Sequence, residues 1–224
     1  MAKRTPLSLR QLPDYTKGEE IMNMVTHIAG GALGAATLLL ALLLTIPTRE
    51  PLQIATGIIY GSSMIALYSV SSIYHGLHPS TGKKVLQVID HCTIYFLIAG
   101  TYTPILVCAV VPVYPTLGWG LFAMEWGLAI LAATLTAIDL QIYRTFSMIC
   151  YIFMGWAIIF FLPQAIICLT TPGFFLTLAG GIVYTIGAVL YGIGNKQRWF
   201  HSIFHIFVVI GSLLQMLAIV LYVF

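Results

Sequence analysis

From Ile21 to Phe224 the sequence divides into seven apolar runs separated by breaks of only a few polar residues. The runs are Ile21–Ile46, Leu52–Gly76, Val88–Val111, Leu117–Ile138, Thr145–Thr170, Phe174–Gly194 and Phe200–Phe224. Each is long enough to cross a bilayer, which takes about 20 mainly apolar residues as a helix. The breaks have the composition of turns: Pro47 to Pro51, His78 to Lys84, Pro112 to Pro115, Asp139 to Arg144, Thr171-Pro172-Gly173 and Asn195 to Arg198. Only 8% of the residues are charged, against about 25% in a soluble domain. The expected fold is therefore an all-α integral membrane protein, a seven-transmembrane-helix bundle. Residues 1–20 form a polar, basic tail without a cleavable signal pattern, and residues 21–224 form a single membrane domain with no room for a soluble domain beside it.

Basic residues set the expected orientation. With the N-terminus cytoplasmic, the inner segments hold Lys3, Arg4, Arg10, Lys17, Lys83, Lys84, Arg144, Lys196 and Arg198, and the outer side holds Arg49 alone. The C-terminus is then extracytoplasmic, and a plasma-membrane location is expected. Small residues recur at helix-contact spacing, at Gly30/Gly34, Gly57/Gly61, and Gly180, Gly181 and Gly187. Pro104 and Pro163 are expected to kink their helices. The four cysteines lie inside apolar runs without paired spacing and read as free packing residues.

Against this background the polar residues inside the runs stand out. His201 and His205 are four residues apart, so they share one helix face with Cβ atoms about 5–6 Å apart. Ser71 and His75 share a face at the end of the second run, and Asp90 opens the third. Alternate crossings put these three helix ends on one side of the membrane. Counted from Arg198 and Lys84 at about 1.5 Å per residue, His201, His205 and Asp90 lie about 5–10 Å below the cytoplasmic interface, and His75 belongs to the same layer. A histidine in a membrane helix usually faces the protein interior and has a task. Three histidines and a carboxylate at one depth suit a zinc site, which typically takes three protein ligands and leaves one position open. His75, His201 and His205 are the candidate ligands. Asp90 is the candidate base and Ser71 a hydrogen-bonding group beside it. The same residues also suit a buried His–Asp network with no metal.

Three motifs together resemble the haemolysin III family: Ser71-x-x-x-His75, Asp90-His91-x-x-Ile94-Tyr95 continuing to Pro104, and Phe200-His201-x-x-Phe204-His205. That family is part of the progestin and adipoQ receptor superfamily and is distantly similar to alkaline ceramidases. Glu19-Glu20-x-x-Asn23-x-x-Thr26-His27 and Gly155-Trp156 resemble it too. The resemblance implies seven helices and a zinc ion held near the cytoplasmic face by His75, His201 and His205, with Asp90 and Ser71 close by. One departure is Gln215, where relatives often carry a histidine.

Other polar residues rank below these. Glu20, Asn23 and His27 share a face of the first helix, either lining the cavity or forming an interhelical network. His91 and His78 are weaker alternative ligands, and Glu125 belongs to the opposite membrane half. The favoured function is a zinc-dependent membrane hydrolase that cleaves a lipid amide or ester. The alternatives are a pore-forming haemolytic protein, or a non-enzymatic receptor or regulator of membrane lipid state. Membrane lipid is the expected partner, as substrate or ligand, and nucleic acid is not.

Overall fold

The computed structural model describes residues 5–194 and 197–224. Lys3, Arg4 and Lys196, three of the basic residues used for orientation, lie outside the described residues. All regular structure among the described residues is helical. Helix α1 (Lys17–Thr45) starts at a reciprocal cap: Thr16 Oγ1 accepts the Glu19 N–H at 3.2 Å, and Glu19 Oε2 accepts the Thr16 N–H at 2.8 Å. Helix α2 (Pro51–Gly76) has proline at its first position, where a missing N–H costs nothing. Helix α3 (Thr81–Pro104) is capped by Ser80, whose hydroxyl accepts the Lys83 N–H at 3.1 Å. Beyond Pro104 the chain loosens into π-helical turns, Ile105–Val110, because proline removes a donor from the ladder.

Helix α4 (Pro115–Ile138) is followed by α5 (Arg144–Gly155), a 3₁₀ stretch (Ala157–Phe161), α6 (Leu162–Gly194) and α7 (Phe200–Tyr222). Among the described residues, six helical stretches are long and apolar enough to cross a membrane. The predicted fifth and sixth runs fall together in one of them, Arg144–Gly192. That stretch is interrupted twice. The first interruption is the 3₁₀ segment ending just before Pro163. Tyr102 mends it, donating to the Gly155 carbonyl at 3.0 Å and accepting the Ile158 N–H at 3.1 Å. The second is Thr170, whose backbone leaves the helix at φ 60°, ψ 164°, two residues before Pro172.

Exposure is inverted relative to a soluble protein. Leu39, Leu43, Ile130, Ile167 and Leu221 stand more than half exposed on the outside, while Asn23, Thr136 and Glu125 are fully buried. Such an exterior suits lipid. This is a multi-pass membrane protein.

The expected small-residue contacts are made on most of the named glycines. A Cβ on Gly34 would meet the Ile65 backbone at 3.0 Å, one on Gly57 would meet Ala41, and one on Gly61 would meet Leu38. Gly180 and Gly187 pack against Gln215 and against Phe204 and Phe207 of α7. Gly181 differs: no atom lies within 4 Å of its would-be Cβ, and it lines a cavity rather than a helix contact. All four cysteines are free.

Candidate metal centre

The centre is assembled where the end of α2 meets the starts of α1, α3 and α7. Helix α2 carries Ser71 and His75 one turn apart, both buried to within 2%. Helix α7 begins with an unusual cap that decides where His201 and His205 point. Trp199 sits at φ 69°, a left-handed conformation that is costly for a bulky side chain. Glu19 compensates by accepting the Trp199 N–H at 2.7 Å through Oε1, and its Oε2 lies 3.3 Å from Arg198. One carboxylate thus caps α1 and α7 together, which locks their first turns side by side.

As a result, ring nitrogens of His75, His201 and His205 all come within 4.8 Å of one another. His201 Nε2 and His205 Nε2 face each other at 3.0 Å. His75 Nδ1 lies 2.6 Å from Glu20 Oε2, and the Asn23 amide approaches it at 3.4 Å. The opposite nitrogen, His75 Nε2, is buried with no hydrogen-bond partner. Around the cluster, Tyr15 stacks on His201 with ring centroids 4.8 Å apart, and His27 stacks on His205 at 3.8 Å. Burial, reinforced by the neighbouring Tyr191 and acidic groups, pushes the Tyr15 phenol well above its usual range, so it remains a neutral hydrogen-bonding group.

The donor set suits a metal ion. Three imidazoles converge, and a buried ring nitrogen without a protein partner is the group that ligation would satisfy. In a tetrahedral site with ligand bonds of about 2.1 Å the ligand atoms lie about 3.4 Å apart, so a spacing of 4.8 Å would close by about 1.4 Å. Such a step is within the reach of side-chain rotation.

Asp90 and Ser71 line the same cavity as His201 and His205, and the Ser71 hydroxyl reaches the Asp90 carboxylate. The cavity has a volume of about 640 Å³. Asp14, Gln141, Arg144 and Arg198 make one end polar, while Ile94, Leu97, Ile98, Phe204 and Val208 line apolar wall.

The other histidines separate from this group. His91 lines the cavity but turns Nδ1 to the Gln87 carbonyl at 2.8 Å, and His78 is exposed in the loop after α2. His27 is stacked on the cluster without joining it. Gln215 donates to the Thr177 carbonyl at 3.0 Å, a link between α6 and α7. Glu125 is fully buried and lines no part of the cavity. Sequence spacing leaves Glu20 and Asn23 undecided between cavity and network, passes over Tyr15, and reads Lys83 only as an orienting charge. The pairing of Tyr15 with His201 leaves no spacing signal in the sequence, because it joins residues almost the whole chain apart.

A family model described as haemolysin-III related matches residues 15–216, nearly the whole chain. The chain belongs to the haemolysin III family. It is 36% identical over 205 residues to "Hemolysin-3" of Bacillus cereus, covering 92% of each chain. To "Hemolysin-3 homolog" of Bacillus subtilis (strain 168) it is 33% identical over 208 residues, covering 93% of this chain and 96% of the relative. The human monocyte to macrophage differentiation factor is 27% identical over 179 residues, 75% of this chain and 71% of that one. This extends the relationship to the progestin and adipoQ receptor superfamily. In this haemolysin III family protein the matched region takes in all three cluster histidines, Ser71, Asp90 and Glu20.

Proposed function

We propose that this haemolysin III family protein is a zinc-dependent hydrolase of the plasma membrane that cleaves an amide or ester bond of a lipid. It forms one domain over residues 21–224 that crosses the bilayer seven times, with a cytoplasmic N-terminus and an extracytoplasmic C-terminus. The support for seven crossings is the hydrogen bond from Trp156 Nε1 to Thr185 Oγ1, at 3.0 Å across 29 residues. A straight helix would hold those residues about 43 Å apart at 1.5 Å per residue, so the long stretch doubles back, and Thr170 is the place for it.

The observation that carries the functional reading is the convergence of three imidazoles beside an amphiphilic cavity, which His201 and His205 line together with the Asp90 carboxylate and the Ser71 hydroxyl. His75, His201 and His205 would hold the ion. Zinc in such a site supplies a Lewis acid for a carbonyl and brings the pKa of nearby water to about 7. Asp90 accepts the proton from the attacking water, held in register by the Ser71 hydroxyl. As the C–N or C–O bond of the substrate breaks, Asp90 returns that proton to the departing amine or alcohol. The polar end of the cavity takes the lipid headgroup, and the apolar wall takes its chain.

The test is Asp90→Asn, which is nearly isosteric and removes the proton-accepting oxygen. Zinc content should be unchanged, while hydrolysis of a ceramide and phospholipid panel falls by about 10²–10⁴-fold, the usual worth of a general base. Conductance in pure lipid bilayers from both proteins, with no lipid product from either, would replace this reading with a pore, the activity that the name of the Bacillus cereus relative suggests. Absence of both product and conductance would favour a non-enzymatic receptor or regulator.

A further inference from the structure

Glu20 ties three helices together at one side of the metal centre. Its Oε2 lies 2.6 Å from His75 Nδ1 on α2, and its Oε1 lies 2.6 Å from Lys83 Nζ on α3. Lys83 Nζ also donates to the Leu77 carbonyl at 2.8 Å, so the ammonium is anchored before it meets the carboxylate. The histidine and lysine side chains are 0% and 3% exposed, and the glutamate 19%. Water therefore contributes little to this trio, and each group depends on the other two.

The chemistry of imidazole turns this contact into a constraint on the metal centre. Neutral histidine has one N–H and one lone pair, and an ionised carboxylate can only accept. At 2.6 Å from Glu20, Nδ1 must carry the hydrogen, because two acceptors at that distance repel. The lone pair is then on Nε2, the buried nitrogen that no protein group satisfies. In the opposite tautomer Nε2–H would occupy the place of the ion. His201 lacks such a partner, since its Nδ1 has no hydrogen bond, and His205 has only the Asn23 backbone behind it, with no carboxylate.

We infer that Glu20 is a positioning residue of the metal centre, fixing the tautomer and ring orientation of His75 and strengthening Nε2 as a donor, with Lys83 as its counter-charge. The inference rests on the metal reading of the three histidines. It makes His75 the pre-set ligand, and His201 the one with most freedom to adjust as the ion enters. A carboxylate or carbonyl behind a ligating histidine is the usual means of orienting the ring, and its loss typically weakens metal affinity about 10–100-fold.

Two measurements on the full-length protein in detergent test it. The first is the ¹⁵N spectrum of histidine-labelled, metal-stripped protein, with the His75 signals assigned by their loss in His75→Gln. Wild-type His75 should be the Nδ1–H tautomer, and Glu20→Leu should shift it toward Nε2–H or an exchanging mixture. The second is zinc affinity by chelator competition. Glu20→Leu should weaken it about 100-fold. Glu20→Gln, which still presents an accepting oxygen to Nδ1–H, should recover about tenfold of that loss. Lys83→Met breaks the interhelical tie but keeps the Glu20–His75 contact, so it separates a mere staple from a positioning role: it should lower thermal stability more than affinity. Wild-type His75 in the Nε2–H form, or unchanged affinity in Glu20→Leu, overturns the inference while leaving the metal reading intact. Wild-type protein that binds no zinc, with the Nδ1–H tautomer present, overturns the metal reading and the inferred role with it.

Discussion

Replacing Gly61 with alanine tests how closely the first two helices depend on each other. A Cβ built on Gly61 would lie 2.6 Å from both Cα and Cβ of Leu38 and 2.9 Å from its backbone nitrogen. Carbon atoms in good contact are about 3.5–4.0 Å apart, so α1 and α2 must separate by about 1 Å. No rotamer of Leu38 relieves the clash, because the opposing atoms are backbone and Cβ. Overpacking of this kind costs about 1–3 kcal/mol. Alanine returns about 1 kcal/mol through its better helix propensity, leaving a net loss of about 0–2 kcal/mol. Gly120→Ala on α4 is the matched control, since no atom lies within 4 Å of its would-be Cβ and only the propensity gain remains. The propensity gain is common to both variants, so they should differ by the overpacking cost, about 1–3 kcal/mol, a factor of about 5–150 in the unfolding equilibrium. Reversible unfolding in mixed micelles, followed by circular dichroism, measures the difference. Stability of Gly61→Ala equal to or above that of Gly120→Ala would refute the claim that glycine permits the close approach of these helices.

Three further outcomes are expected. Single cysteines at Thr48 and Thr81, in a background without the native cysteines, should be labelled from opposite sides, with Thr48 alone reached by an impermeant reagent from outside. Labelling of Thr81 alone would invert the proposed topology. His75→Ala, His201→Ala or His205→Ala should each strip most of the zinc from otherwise folded protein, whereas His91→Ala should retain it; elemental analysis decides. Asp139 predicts an acid limb in stability. Burial pushes its carboxyl up, but backbone N–H groups of Thr5, Ile142 and Gln141 outweigh this and hold the pKa down from 3.8 to about 2. A carboxyl depressed on folding stabilises above its unfolded pKa, and that contribution drains away as pH falls from 3.8 toward about 2. A stability titration across that range should lose this component in Asp139→Asn.

Much of the cluster was legible because helical spacing is a local rule. Four residues between His201 and His205, or between Ser71 and His75, put each pair on one face whatever surrounds it. Charge scarcity and turn residues marked out the runs, and the place of each polar residue along its helix followed from counting. The runs did not show that the fifth would be interrupted by the 3₁₀ segment Ala157–Phe161, although they did end it at Thr170, where the chain leaves its helix. Hydropathy records how apolar a segment is, and an apolar stretch reads the same whether or not its backbone keeps helical angles.

What the sequence by itself determined about this protein is which residues must avoid lipid and how far along each helix they lie, because burial and periodicity are properties of one segment at a time. Only the tertiary structure decided which of those residues meet. Glu20 reaches His75 and Lys83 across 55 and 63 residues, and Glu19 reaches Trp199 across 180. Partners so distant are chosen by the rotation of each helix about its axis and by its closest approach to a neighbour. Those quantities depend on the packing of all the helices together, through contacts such as Gly61 on Leu38, and no single run encodes them.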